Sequence, residues 1–263
     1  MKVSLIQSDL AWQDPAKNMD RLGKLLDDAG PSHLYVLPEM FSTGFMMEPE
    51  KFAEEAGGAA FKWMQEMAKK KNAVITGSIA VKDNSYFNRL YWVRPDGSSE
   101  MYDKRHLFRL GKEQDHYTPG KKRLVVKAGE WKVCPLVCYD LRFPVWSRCG
   151  HSKKNSETPA YEYDLLIYVA NWPAVRGYAW RQLLIARAIE NQCYVIGVNR
   201  TGTDGNNLEY AGDSMAVGPL GEVLLHLDNE PRAASVTLDM PALTDFRQRF
   251  PAGMDADDFE IRF

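Results

Sequence analysis

The 263-residue chain is 45% hydrophobic, which is enough to bury a substantial core and favours a globular protein. Its 33 Lys and Arg residues against 35 Asp and Glu residues give a net charge of -2, so the sequence predicts no basic surface for nucleic acid. The start of the chain has the pattern of a strand and not of a signal peptide, and no segment is apolar for long enough to span a bilayer. We therefore expect a cytoplasmic protein without a membrane partner, whose four cysteines stay reduced.

Apolar periodicity in the first half of the chain predicts alternating strands and helices, followed by an antiparallel pair. The predicted elements are strands at 2–8, 33–37 and 73–81, helices from Asp14-Pro15 onwards and at 59–71, and a hairpin of 86–93 and 99–102. The hairpin turns at Pro95-Asp96-Gly97, which is a strong turn signal.

The second half repeats the strand and helix pattern and then closes with short strands. The predicted elements are strands at 123–127, 132–137, 164–170 and 192–199, a helix at 178–191, a closing antiparallel meander of 210–217, 222–227 and 233–238, and a helix at 241–250. The stretch 149–162 is polar and rich in helix-breaking residues, but core patterning resumes directly after it. We interpret it as a surface insertion in a single domain of residues 1–263, and not as a linker.

Polar side chains follow three of the predicted strands at the points where those strands end. Glu39 comes soon after one apolar run, Lys104 comes directly after the predicted hairpin, and Cys138 comes directly after another apolar run. Taken singly, a loop glutamate, a lysine in a basic cluster and a buried core cysteine are all ordinary structural features. Open α/β sheets, however, bind ligands at the carboxyl ends of their strands. The three residues together therefore predict a chemical site at such an edge.

Four short motifs carry these residues in a fixed order. They are Leu37-Pro38-Glu39-Met40-Phe41, Tyr102-Asp103-Lys104-Arg105-His106-Leu107-Phe108, Gly111-Lys112-Glu113 and Cys138-Tyr139-Asp140-Leu141-Arg142-Phe143-Pro144. In this order they resemble the nitrilase (carbon–nitrogen hydrolase) superfamily over nearly the whole chain. Ala170-Asn171-Trp172-Pro173 and the stretch 186–192 are similar to its omega-amidase branch.

The resemblance implies a four-layer α/β/β/α sandwich, commonly a homodimer formed through helices that flank the nucleophile. It also implies hydrolysis of 2-oxoglutaramate and related 2-oxo acid amides without a metal or organic cofactor. In this family Cys138 would attack the amide, Glu39 would move protons, and Lys104 with the Tyr139 N–H would hold the oxyanion. Because a free thiol has a pKa near ~8.5, we expect Lys104 and Glu39 to favour a thiolate at neutral pH.

The same resemblance suggests residues that contact the substrate, each with a structural alternative. Glu113 would position the substrate and Lys104, or only form an ion pair with Lys104. Arg142 would bind a substrate carboxylate through its planar fork, or pair with Asp140. Trp172 would form an aromatic pocket wall, or belong to the core, and Arg176 is a further candidate for the carboxylate contact.

Three other functions fit the sequence. The chain could be an aliphatic amidase, an N-carbamoyl amine hydrolase or a nitrilase of the same superfamily. It could be a catalytically silent relative that acts through a dimer surface. It could also be a zinc-stabilised binding module that uses Cys134, Cys138, Cys149 and His151, although these cysteines lack the short Cys-x-x-Cys turn.

Overall fold

Two β-sheets form the centre of the molecule in a computed structural model that describes residues 1–152, 160–257 and 259–261. The strands are β1 (Lys2–Gln7), β2 (Leu34–Val36), β3 (Glu54–Glu55), β4 (Val74–Lys82), β5 (Tyr86–Val93), β6 (Ser99–Asp103), β7 (Val126–Ala128), β8 (Trp131–Val137), β9 (His151–Ser152), β10 (Ala160–Tyr161), β11 (Leu165–Val169), β12 (Tyr194–Val198), β13 (Thr201–Thr203), β14 (Glu209–Ala211), β15 (Met215–Val217), β16 (Val223–His226) and β17 (Arg232–Thr237).

The helices lie outside the two sheets. They are α1 (Pro15–Asp28), α2 (Pro49–Phe52), α3 (Ala59–Lys71), α4 (Pro144–Ser147), α5 (Gly177–Asn191) and α6 (Met240–Arg249), with short 3-10 segments at Arg109–Gly111, Glu113–Asp115, Cys138–Arg142, Ala174–Arg176 and Ala252–Met254. Within the described residues, every helix is too short or too polar to cross a bilayer.

Local sequence explains where helix α1 begins and where helix α3 ends. The Asp14 side chain accepts a hydrogen bond from the Lys17 N–H at 3.1 Å, and Pro15 occupies the first helical position of α1. Helix α3 ends at Asn72, whose φ of 48° is the left-handed conformation common at helix ends. Both helices present an apolar face to the first sheet, with Leu22 and Met64 fully buried.

The central strands of each sheet are parallel. In the first sheet the order is β17-β1-β2-β4-β5-β6, with β3 beside β4, and in the second it is β16-β15-β12-β11-β8-β7. Strands β1, β2 and β4 run parallel, as do β8, β11 and β12. Since β5 is antiparallel to both β4 and β6, β6 runs in the direction of β4. The carboxyl ends of β2 and β6 therefore lie at the same edge of the first sheet.

Side chains alternate between the two faces of each sheet, so that one face packs on the other sheet and the opposite face packs on helices, which gives four layers. Val3 and Leu5 of β1 belong to the core that joins the two sheets, whereas Ile6 packs with α1 and α3. On the second sheet, a Cβ at Gly197 of β12 would lie 2.5 Å from the Leu184 side chain, so α5 packs directly on that strand. The predicted α/β/β/α sandwich is confirmed.

The predicted closing meander is wrong in two respects. The expected strand 210–217 is divided into β14 and β15, because Gly212 and Asp213 adopt φ values of 68° and 59° between them. Strand β14 pairs with β13, whereas β15 pairs with β12 and β16. Strand β17 does not continue the meander in the second sheet but pairs with β1 of the first.

The stretch 149–162, predicted as a surface insertion, contains the antiparallel pair β9 and β10, and its residues 153–159 lie outside the described residues.

Candidate active site

The carboxyl ends of four strands from the two sheets meet at one buried cluster. Glu39 follows β2, Lys104 follows β6, Cys138 follows β8 and Asn171 follows β11. All four residues are buried, and only 8% of the Cys138 surface is exposed. The alternative interpretation of Glu39 and Lys104 as solvated surface charges is therefore wrong.

The Lys104 ammonium lies between two carboxylates. Its Nζ is 2.8 Å from Glu39 Oε1 and 2.8 Å from Glu113 Oε2, and all three side chains are fully buried. Burial alone lowers the pKa of Lys104, but the negative charges of Glu113 and Glu39 outweigh it and raise that pKa above its ordinary value. Lys104 is therefore a permanent cation in the site.

Two asparagines hold Glu39 in place, and sequence reasoning did not identify either as a site residue. Asn88, in the middle of β5, donates to Glu39 Oε1 at 2.8 Å and to Glu113 Oε1 at 3.1 Å. The Asn171 backbone N–H donates to Glu39 Oε2 at 2.8 Å, and its side chain donates to the Glu39 carbonyl at 2.6 Å. The available signal was the position of Asn171 at the end of an apolar strand; Asn88 gave none.

Glu113 is surrounded by donors from the protein itself. Besides Lys104 and Asn88, the Phe108 backbone N–H donates to Glu113 Oε2 at 2.7 Å. Burial raises the pKa of Glu113, and the charge of Glu39 adds to that effect while Lys104 opposes it. Among the described residues, Lys104 lines the nearby pocket and Glu113 does not. The structural ion pair that we considered for Glu113 is thus present.

Cys138 begins a sharp turn at the end of β8. Its φ of 44° lies in the left-handed region, which is uncommon for a residue with a Cβ. The turn continues as the 3-10 segment Cys138–Arg142, and the Cys138 Sγ lies 3.9 Å from the Asn171 carbonyl oxygen. Cys138 thus directly follows a strand, as the sequence predicted, but its side chain is buried.

The Cys138 thiol is not activated as the sequence led us to expect. Burial raises its pKa well above the ordinary value, and the charge of Glu39 and a hydrogen bond with Glu39 raise it further. Lys104 lowers this pKa but does not outweigh the other effects. The direction of this shift disfavours the thiolate that we expected at neutral pH.

A pocket of about 280 Å³ opens onto this cluster. Its lining includes Lys104, Cys138, Tyr139, Asn171, Trp172 and the two arginines Arg142 and Arg176. The Arg142 guanidinium lies 5.0 Å from the centre of the Trp172 ring, and that of Arg176 lies 5.2 Å from the centre of the Phe108 ring. Trp172 is buried and also lines the pocket, so it belongs both to the core and to the wall.

The alternative partner for Arg142 was Asp140, but that carboxylate is used elsewhere. It accepts hydrogen bonds from the Tyr102 hydroxyl at 2.8 Å, from the Val137 N–H at 3.1 Å and from the His106 N–H at 2.9 Å. In the described part of the chain, neither Arg142 nor Arg176 forms an ion pair with a carboxylate. Both guanidiniums are therefore available to an anionic ligand.

The zinc-binding alternative depends on residues that are mostly in the core. Cys134 and Cys149 are buried, and the side chain of His151 is outside the described part of the structure. Among the side chains that are described, no three of His, Cys, Asp or Glu are arranged to hold a metal ion.

Comparison with known proteins identifies the family of this chain. A family model described as carbon-nitrogen hydrolase matches residues 2–248. The chain belongs to the carbon–nitrogen hydrolase family. This carbon–nitrogen hydrolase is 43% identical to an omega-amidase, YafV of Escherichia coli, covering 99% of this chain and 98% of the relative. It is 32% identical to a 2-oxoglutaramate amidase of Bacillus subtilis, covering 95% of each. The resemblance found in the sequence is confirmed.

Solved structures of carbon–nitrogen hydrolases share the fold. A superfamily member from Xanthomonas campestris, with an arsenic adduct in its active site, matches with a TM-score of 0.96 at 44% identity and covers 100% of this chain and 99% of that one. An amidase from Nesterenkonia, whose active-site cysteine has added acrylamide, matches with a TM-score of 0.80 at 23% identity, covering 97% and 99%. At that lower identity the likeness concerns the fold alone.

Proposed function

We propose that this carbon–nitrogen hydrolase cleaves the terminal amide of a small 2-oxo acid amide, of the kind of 2-oxoglutaramate, to the acid and ammonia. The observation that carries the proposal is the pocket in which Cys138 and Lys104 face the same space as Arg142 and Arg176. A thiol and an ammonium suit amide cleavage, and two guanidiniums that form no ion pair within the described residues suit an anionic substrate. The two relatives named for such activities support the same substrate class.

Acylation begins with a proton transfer. Because the pKa of Cys138 is raised, the sulfur attacks as its proton passes to Glu39, whose charge acts on the thiol. The new bond between Sγ and the amide carbon converts the carbonyl oxygen to an oxyanion. Glu39 then gives the proton to the nitrogen, and ammonia leaves as the carbon–nitrogen bond breaks.

Deacylation uses the same carboxylate a second time. A water molecule enters the space left by ammonia, and Glu39 takes one of its protons as the oxygen attacks the thioester carbon. The carbon–sulfur bond breaks, the acid product leaves, and the proton returns to Cys138. No metal and no organic cofactor is needed for either half of this reaction.

The oxyanion of both half-reactions requires a fixed positive charge. Lys104 meets that need, because its ammonium lines the pocket and its pKa is raised by Glu113 and Glu39. The Tyr139 N–H, at the start of the turn that follows Cys138, is the proposed second donor. We propose that Glu113 acts on the substrate chiefly by fixing the position of Lys104, to which it is bonded at 2.8 Å.

Substrate recognition is assigned to the outer part of the pocket. The Arg142 fork is the proposed partner of the substrate carboxylate, and the Trp172 ring supports the guanidinium from 5.0 Å away. Arg176, whose backbone carbonyl accepts the Trp172 indole N–H at 2.9 Å, is the second cationic contact. One tryptophan thus supports both arginines.

The experiment that tests this function is ammonia release from four substrates. Purified wild type and Cys138→Ala are compared on 2-oxoglutaramate, glutamine, a simple aliphatic amide and an N-carbamoyl amine. Preference for 2-oxoglutaramate that is lost in the variant supports both the nucleophile and the substrate. Activity on another of the four, also lost in the variant, keeps Cys138 and assigns a different carbon–nitrogen hydrolase substrate. Wild type without activity on any of them would contradict the proposal.

A homodimer in the cytoplasm is the assembly and location that we propose. Exposed apolar side chains on α4 and α5 support an interface there, since Val145 is 57% exposed, Tyr178 is 73% exposed and Ile189 is 51% exposed. Four free thiols, at Cys134, Cys138, Cys149 and Cys193, suit a reducing compartment. Light scattering and cell fractionation test the two parts; a monomer or a secreted protein would contradict them.

A further inference from the structure

The buried carboxylate of Asp140 stabilises the turn that carries Cys138. Asp140 Oδ2 accepts hydrogen bonds from the Val137 N–H at 3.1 Å and the Tyr102 hydroxyl at 2.8 Å. Asp140 Oδ1 accepts from the His106 N–H at 2.9 Å and lies 2.8 Å from His106 Nδ1. Because an ionised carboxylate can only accept, Nδ1 is the donor in the last contact. One fully buried carboxylate thus takes four donors.

The backbone on which Asp140 acts is unfavourable without such support. Cys138 has a φ of 44°, in the left-handed region that residues with a Cβ rarely adopt. Val137 is the last residue of β8, and its N–H donates to Asp140, three residues further along the chain. The Asp140 carboxylate therefore links the residue before Cys138 to a residue two positions after it, which closes the turn.

The other donors to Asp140 come from the segment that carries Lys104. Tyr102 precedes the lysine by two residues at the end of β6, and His106 follows it by two. The Tyr102 hydroxyl oxygen also accepts from the Arg105 N–H at 3.1 Å and from the Trp146 indole N–H at 2.9 Å. The His106 ring is stacked on Phe143, with ring centres 3.7 Å apart. The lysine segment and the cysteine turn therefore share one rigid junction.

We propose that Asp140 is a positioning residue that, held by Tyr102 and His106, fixes the Cys138 sulfur relative to the Lys104 ammonium. Asp140 and Tyr102 are fully or almost fully buried, and among the described residues neither lines the pocket. Asp140 acts through the backbone of the turn and through the segment on either side of Lys104. The inference rests on the proposed roles of Cys138 and Lys104.

The first test is Asp140→Asn, which keeps the shape of the side chain and replaces one acceptor oxygen by a donor. A displacement of about 1 Å between reacting groups can cost about 100-fold in rate, so we expect kcat to fall by about that factor. KM should change less than kcat, because Arg176, the second proposed cationic contact, belongs to a separate segment, Ala174–Arg176. The measurement uses whichever amide of the four-substrate panel the wild type hydrolyses.

Asp164→Asn is the matched control. Asp164 is also buried and also accepts from a backbone N–H, that of Lys132 at 2.9 Å, and from the Arg247 guanidinium at 2.7 Å. In the described part of the chain it does not line the pocket. We expect this variant to lose thermal stability while kcat stays near that of the wild type. A merely structural role for Asp140 would give the two variants the same behaviour.

His106 supplies a rescue experiment that does not depend on Asp140→Asn folding. His106→Leu removes the donor to Asp140 Oδ1, whereas His106→Asn keeps an N–H group close to the position of Nδ1. We expect kcat to fall in His106→Leu and to be largely restored in His106→Asn. Equal kcat in the two folded variants would overturn the inference, and so would an Asp140→Asn protein with wild-type kcat.

Alkylation of Cys138 by iodoacetamide provides a measurement that needs no amide substrate. Burial is the main cause of the raised thiol pKa, so a loosened turn should lower the pH midpoint of alkylation. We expect this shift in Asp140→Asn and His106→Leu, and not in Asp164→Asn. If no amide of the panel is cleaved, the proposed function fails while this arm still decides the inference; an unchanged midpoint in both variants would refute it.

Discussion

Asn171 holds Glu39 through two hydrogen bonds, although the two residues are 132 positions apart. The backbone N–H of Asn171 fixes the carboxylate at Oε2, and the side chain fixes the Glu39 carbonyl. The other carboxylate oxygen, Oε1, is shared by Lys104 and Asn88. Glu39, the proposed proton carrier, is therefore oriented by three residues, each of which lies within a different strand or just after one.

Asn88→Ala should impair both the stability and the activity of the protein. It removes a donor from two buried carboxylates, those of Glu39 and Glu113, which costs about 1–3 kcal/mol of unfolding free energy. A misplaced Glu39 should lower kcat by about 10- to 100-fold. Denaturant titration and steady-state kinetics check this. Asn191→Ala is the control, since Asn191 bonds Cys149 and Arg187 instead and should affect stability alone.

Lys104→Met should abolish most of the turnover and also destabilise the fold. The loss of an oxyanion donor costs about 3 kcal/mol in the transition state. The same change leaves two buried carboxylates without their cation, and breaking a buried pair typically costs about 3–5 kcal/mol. Lys71→Met serves as the comparison, because its partner Asp27 is half exposed and such pairs contribute about 0–1 kcal/mol. Near-normal turnover in folded Lys104→Met would contradict the assignment.

Glu39→Gln and Lys104→Met should move the pKa of Cys138 in opposite directions. The charge of Glu39 raises this pKa, so its removal should shift alkylation of Cys138 to lower pH. Lys104 lowers the same pKa, so its removal should shift alkylation to higher pH. Both variants should nevertheless fail to hydrolyse amides. The pH profile of iodoacetamide labelling, read by mass spectrometry of the Cys138 peptide, distinguishes them; shifts of the same sign would refute the electrostatic account.

The buried thiols should make the protein less stable in alkaline solution. The pKa values of Cys134, Cys138, Cys149 and Cys193 are all raised, in each case first by burial. Above a pH of ~8.5 the unfolded chain releases these protons while the folded chain keeps them, so the unfolding free energy falls as pH rises. Urea titrations from pH 7 to 10 measure the slope. Cys193→Ala should flatten it, and an unchanged slope would contradict this explanation.

Arg142→Met should discriminate between charged and uncharged substrates. If the guanidinium binds the substrate carboxylate, kcat/KM for 2-oxoglutaramate should fall by about 10-fold or more, since hydrogen bonds to charged groups contribute about 1.5–3 kcal/mol. An uncharged aliphatic amide should be affected much less. Arg109→Met is a suitable control, because Arg109 is exposed and is not among the described pocket residues. Equal losses on both substrates would argue against carboxylate recognition.

The sequence predicted those parts of the site that depend on local pattern. Glu39 and Cys138 each follow an apolar run, and runs of this kind end where strands end, whereas Lys104 follows the second strand of the predicted hairpin. Asn88 could not be found in this way, because it lies inside a strand, and only the pairing of β4, β5 and β6 turns it towards Glu39. The resting thiol was also missed, since burial of Cys138 depends on both sheets together.

Long-range pairing explains the largest error in the predicted fold. The strand at Arg232–Thr237 has the same local pattern as its neighbours in sequence, and nothing in it indicates a partner more than 200 residues away. Asp140 illustrates the same difficulty at the level of a side chain. Its spacing from Arg142 suggested a local pair, but its partners Tyr102 and His106 come from the other sheet's final strand and the loop after it.

The crossing of β17 to β1 has a consequence for the order in which a ribosome makes this chain. Strand β1 is synthesised first, but the neighbour on its outer side is the last strand to emerge, at Arg232–Thr237. Until then the nascent chain carries an unpaired strand edge, which is a template for association with other chains. The first sheet therefore cannot close at this edge until Thr237 has been synthesised.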